Sequence, residues 1–130
     1  MKRWIVFLLL PLLLTGCKKE TPAAVQVVTR VQVLYHSGST TLYRQYTDQQ
    51  NMGHLLNYLR LLDAGSPVTG IPTGSEFSCK FIVEDSWGEQ TVYRQEGAAY
   101  LSKDNGLFQQ IDSTQGSLLY PLLLLLPGQV

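Results

Sequence analysis

Cys17 and Cys79 are the only thiols of this 130-residue chain, and His36 and His54 its only imidazoles. A thiolate can act as nucleophile, metal ligand or disulfide partner, and an imidazole as base or ligand. Neither histidine has a second histidine, cysteine or carboxylate at the short spacing that a zinc site uses, so no metal is expected. No G-x-S-x-G, H-E-x-x-H or phosphate-cradling glycine loop occurs. Glu84 and Asp85 are neighbours in a strand-like stretch, where successive side chains point to opposite faces, so they cannot share a proton. The chemistry therefore concentrates on Cys17, and its surroundings decide what that chemistry is.

Met1-Lys2-Arg3 carries two positive charges, and Trp4 to Leu14 is apolar, interrupted only by Pro11. As a helix that run rises about 17 Å, against a hydrocarbon core of about 30 Å, too short to span. A charged start, a short apolar core and small residues before a cut are the pattern of a signal peptide. Leu14-Thr15-Gly16-Cys17 resembles the lipobox of bacterial lipoprotein precursors at all four positions. The resemblance implies cleavage between Gly16 and Cys17, a thioether-linked diacylglycerol on Cys17, and a mature chain beginning there. Residues 1–16 are then a signal peptide, and residues 17–24 the acylated cysteine and a polar stalk ending in Thr21-Pro22-Ala23-Ala24. Two or three acyl chains, at about 0.8 kcal/mol per buried methylene, hold a protein firmly to a bilayer on the extracytoplasmic side. Lys18 stands where aspartate would signal inner-membrane retention, so an outer membrane is allowed and, in a one-membrane cell, the outer face of that membrane is implied.

The full chain has ten basic and ten acidic residues. Loss of Lys2 and Arg3 leaves eight against ten, a balance that argues against nucleic acid as a partner. Residues 25–130 suffice for one domain with a real core. With Cys17 acylated, Cys79 has no disulfide partner. It lies in phase with Phe77, Phe81 and Val83, which predicts a buried, inert thiol.

An internal repeat organises the domain. Thr41-Leu42-Tyr43-Arg44-Gln45 recurs fifty residues later as Thr91-Val92-Tyr93-Arg94-Gln95, with Val31, Val33 and Gly38 matching Phe81, Val83 and Gly88. Gly53 to Leu62 then matches Gly116 to Leu125 at an offset thirteen residues larger. The copies, 25–62 and 76–126, each read as strand, turn, strand, helix, the second carrying an inserted β-hairpin. The expected fold is α+β: an antiparallel sheet of two ββα repeats, with the helices on one face. Period-two alternation from Val25 to Tyr35 gives the first strand, and Thr40 to Tyr46 its return. Thr47-Asp48-Gln49-Gln50 resembles a capping box before a helix whose Met52, Leu55, Leu56, Leu59 and Leu62 form one stripe. Asp63 to Glu76 reads as a linking crossover. Copy two reads as strands Glu76–Asp85 and Gln90–Glu96. An Asn105-Gly106 turn should then pair Ala99–Ser102 with Leu107–Gln110. A second cap at Asp112 precedes a leucine run, Leu118 to Leu126, in which Pro121 should kink or shorten the helix. Too short to span a bilayer, that run should be buried between sheet and first helix or partly in a dimer interface.

Five residues stand out as possible interaction sites. Trp87 occupies a turn, where either local packing or a partner would cover its indole, and Tyr43, Tyr93, Arg44 and Arg94 occupy equivalent repeat positions. Tyrosine, tryptophan and arginine are favoured interface anchors. The tandem sheet-plus-helix arrangement also resembles, as architecture alone, β-lactamase-inhibitor-like domains. The expected function is a non-enzymatic, membrane-anchored binding module with an envelope protein or cell-wall partner and no cofactor; the alternative is a small extracytoplasmic hydrolase. A transporter's solute-binding lipoprotein would need more than twice the length.

Overall fold

The computed structural model describes residues 26–126 and Gly128; the signal segment, Cys17 and the stalk lie outside the described residues. The described chain is α+β, a seven-stranded antiparallel sheet with helices. Its strands are β1 (Val28–Ser37), β2 (Thr40–Tyr46), β3 (Ser66–Pro67), β4 (Ser78–Asp85), β5 (Gln90–Glu96), β6 (Tyr100–Lys103) and β7 (Gln109–Gln110). They lie side by side in the order β2-β1-β4-β5-β6-β7-β3. Helix α1 (Gln49–Leu59) follows β2 and tightens into a 3-10 turn at Arg60–Ala64; α2 (Ser113–Gly116) and α3 (Leu119–Leu125) follow β7.

Alternation sorts the two sheet faces. Val31, Val33 and Tyr35 on β1 and Cys79, Phe81 and Val83 on β4 point to one side and are buried. Onto them pack Met52, Leu55 and Leu59 of α1 and Leu119 and Leu123 of α3. Tyr46 Oη donates to Leu126 O (2.6 Å), and Tyr58 Oη of α1 donates to Gln95 Oε1 of β5 (2.6 Å), which fixes the helices to this same face. Burial pushes the Cys79 thiol well above its ordinary pKa, so it is held as the protonated, inert form. The first strand begins at Val28, Val25 lying outside the described residues; a bulge between Val28 and Arg30 breaks the alternation, and Val27, just before the strand, is 47% exposed.

Several local expectations shift in detail. The cap of α1 is Asp48, whose Oδ2 accepts from Asn51 N (3.0 Å), rather than Thr47. Asp112 caps α2 through Thr114 N (2.9 Å). The second helix is broken at Ser117–Leu118, and Pro121 sits in the first turn of α3, where a missing N–H costs little. Of the leucine run, Leu119, Leu123 and Leu126 are buried, but Leu118, Leu124 and Leu125 are exposed, so core burial accounts for only one side of it. The inserted hairpin pairs Tyr100 and Leu101 with Gln110 and Gln109. Its turn residues are Asp104 and Asn105 (φ 50° and 62°), one position before Asn-Gly, with Gly106 N donating to Lys103 O (2.9 Å). The segment read as pure linkage supplies β3, an edge strand whose proline is tolerated because it faces no further neighbour.

The fifty-residue offset of the two similar sequence stretches is not kept in the strand register. Val31 pairs with Tyr46, so an offset of fifty would set Phe81 opposite Glu96, but its partner is Tyr93, three residues earlier. Between β1 and β2 the loop is Gly38-Ser39, whereas β4 and β5 are joined through a wider turn. There Asp85 Oδ1 accepts from Trp87 N (2.8 Å) and Glu89 N (3.0 Å). An odd shift turns every side chain of the return strand over. The matching Tyr-Arg pairs therefore face oppositely: Tyr43 and Arg94 lie on the open face, Arg44 and Tyr93 on the helix side.

Candidate functional site: the open sheet face

One register row crosses five strands of the open face. Tyr43 is opposite Leu34, Leu34 opposite Lys80, Lys80 opposite Arg94, and Arg94 opposite Ser102. With strands about 4.8 Å apart, the row runs about 19 Å from an aromatic–aliphatic end, across two cations, to a hydroxyl. Of the five candidate side chains the row gathers two, Tyr43 and Arg94. Tyr93 is half-buried on the other face with Lys103 Nζ 6.0 Å from its ring centroid, Arg44 donates from Nη1 to Tyr43 O (3.1 Å), and Trp87 stands 56% exposed at the β4–β5 tip.

Among the described residues, neither cation has an acidic partner. Among the described residues the ion pairs are Arg30–Glu84 and Arg60–Asp63, so no carboxylate oxygen lies within 4.0 Å of Lys80 or Arg94. Glu84 is committed to Arg30, and Glu96, one row above Arg94, accepts from Ser75 Oγ (2.8 Å). Like charges set directly across an antiparallel pair destabilise it, by a few tenths to about 1 kcal/mol. Sequence alternation places Lys80 on the face opposite Phe81, but nothing local shows that Arg94 is its neighbour.

At the Ser102 end the face becomes a cleft of about 860 Å³. Its floor is Arg94, Glu96 and Ser102; its walls are Ile71 and Leu107-Phe108, from segments tied together by Val68 N donating to Phe108 O (2.9 Å). Ser102, on the cleft floor, is 2% exposed although it faces away from the helices. Ile71 and Leu107, by contrast, are strongly exposed. The volume is in the range of small-ligand sites, and the lining is mostly apolar with a few polar groups, as such sites are built. None of these lining residues except Arg94 was marked by the sequence, because they come from three segments joined only by the fold.

The histidines lie elsewhere. His36 Nδ1 is 3.1 Å from Thr41 Oγ1 at the β1–β2 end, and His54 lines a groove between α1 and the C-terminal helices with Tyr58, Leu118 and Leu122. Gly16 and Cys17 fall outside the described residues. No group of three or more potential metal ligands gathers among the described residues, and no helix there is long and apolar enough to cross a membrane. No family model, curated protein or solved structure matches the chain.

Proposed function

We propose that the chain is the precursor of a bacterial lipoprotein, anchored through acylated Cys17 on the extracytoplasmic side of a membrane, whose domain is a non-enzymatic binding module. The Leu14-Thr15-Gly16-Cys17 motif behind a short apolar segment supports the anchor. The ligand sits along the row from Tyr43 to Ser102 and presents a carboxylate with apolar neighbours, as an acidic envelope peptide or wall component would. The observation that carries this is the Lys80–Arg94 pair, two facing cations with no described carboxylate oxygen within 4.0 Å. An anionic group would offset their repulsion, Arg94 can take a carboxylate in two parallel hydrogen bonds, and Ile71 and Leu107 would cover its apolar part. The same reading treats the two strand pairs as copies of one ββα unit whose second turn diverged, supported by the matched outgoing strands.

Two measurements check it. A clickable fatty-acid analogue should label wild type and not Cys17→Ala; equal labelling would refute the anchor. A photocrosslinking amino acid at Ile71 in intact cells should capture a partner. Arg94→Glu should lower adduct yield about tenfold, the effect of about 1.4 kcal/mol expected from one charged contact. Arg60→Glu, on the helical side, should leave the yield unchanged. Equal yields from all three proteins would remove the partner from the open face.

A further inference from the structure

We infer that the tip of the β4–β5 hairpin, Trp87 with Val27 beside it, is the part of the domain that rests against phospholipid headgroups; this builds on the reading of Cys17 as acylated. The described chain begins beside this tip. Gln26 Nε2 donates to Asp85 Oδ2, Val27 N donates to Ser86 Oγ (3.2 Å), and Ser86 N donates to Val27 O (2.7 Å). Only nine positions separate Gln26 from Cys17, a reach of at most about 30 Å fully extended. An anchor at Cys17 therefore keeps this end of the sheet within about 30 Å of the bilayer. The opposite end, the Gly38-Ser39 turn, lies a ten-residue strand away, about 30 Å farther.

The tip is built to present an indole. Trp87 is 56% exposed, yet its backbone is fixed by Asp85 Oδ1, which also holds Glu89 N, so the side chain projects from a rigid turn. Val27, also exposed, adds apolar surface at the same place. Tryptophan favours the headgroup level of a bilayer, where its ring is half apolar and its N–H finds an acceptor. The flanking carboxylates of Asp85 and Glu89, and Asp104 at the neighbouring turn, would be repelled by anionic lipid. They keep the contact shallow and direct it to zwitterionic headgroups.

The mature chain supplies its own probe. The two tryptophans are Trp4, in the signal segment, and Trp87, so after cleavage Trp87 is alone. The lipidated protein is reconstituted into phosphatidylcholine vesicles, with and without lipids brominated near the headgroup. Trp87 emission should move to shorter wavelength and be quenched by the brominated lipid, less so as anionic lipid is added. A Trp87→Phe, Ser39→Trp variant, which moves the only tryptophan to the far turn, should float with the vesicles and stay unquenched. Co-floating protein whose Trp87 is unquenched, or equal quenching at both positions, would overturn the inference while leaving the anchor standing. Failure of the protein to float would overturn the anchor and this inference with it.

Discussion

Gly116→Ala is expected to cost the domain about 4 kcal/mol, from overpacking of about 3 and a weakened hydrogen-bond junction of about 1. A Cβ on Gly116 would lie 1.9 Å from Ala98 O and 2.8 Å from Ala98 C, both backbone atoms that no rotamer change can move. The loop carrying Ala98 is itself anchored, since Gly97 N donates to Phe77 O (2.8 Å) and Gly97 O accepts from Gln95 Nε2 (3.0 Å). α2 would have to lift, and Gly116 O would leave Tyr58 Oη (3.2 Å) and Gln95 Nε2 (3.3 Å). For a domain of about 100 residues such a loss lowers the melting temperature by about 20 °C. Gly53→Ala is the matched control. It lies in α1 with nothing within 4 Å of the added carbon and should be neutral or stabilising by up to about 1 kcal/mol. Thermal unfolding of the two variants decides it; a Gly116→Ala protein melting within about 5 °C of wild type would show that the junction yields easily.

The outgoing strands were legible because burial imposes period two. Val31, Val33 and Tyr35, like Cys79, Phe81 and Val83, alternate with polar or half-exposed neighbours, and a slip of one residue would expose the whole set. The return strands were not legible in the same way. Thr-x-Tyr-Arg-Gln is nearly the same text in both, but which face each tyrosine takes is set by how many residues the preceding turn consumes. Asp85 closes a wider turn than Gly38-Ser39, and that difference of three reverses the assignment of Tyr93 and Arg94. A two-residue strand such as Ser66–Pro67 has no period to read at all. The candidate site has the same limit. Arg94 was visible as a residue type, but Lys80, Ser102 and Ile71 become its neighbours only through strand order, which local pattern does not encode.

A polar residue in the repeated motif escaped for a related reason, and it carries the second large effect. Gln95 is fully buried on the helix side of β5, opposite Cys79 and Leu101, where a period-two reading would put an apolar side chain. It is retained because all its polar atoms are used: Oε1 accepts from Tyr58 Oη (2.6 Å), and Nε2 donates to Gly97 O (3.0 Å) and Gly116 O (3.3 Å). Burial pushes the Tyr58 phenol above its ordinary pKa, so it stays a protonated donor. Gln95→Leu keeps the volume but strips Gly97 O of this donor and leaves Gly116 O with Tyr58 alone. One buried carbonyl left unpaired, at about 2 kcal/mol, and a second reduced to one donor, at about 1, give an expected loss of about 3 kcal/mol. Tyr58→Phe should cost about half as much, because Gly116 O keeps its bond from Gln95 and only Oε1 loses a donor. Urea midpoints for the two variants test that order. A Gln95→Leu domain as stable as wild type would mean the junction is held by packing of α1 on Phe81 alone, since the Tyr58 and Phe81 rings, 6.2 Å apart, would then carry the contact without the polar bridge.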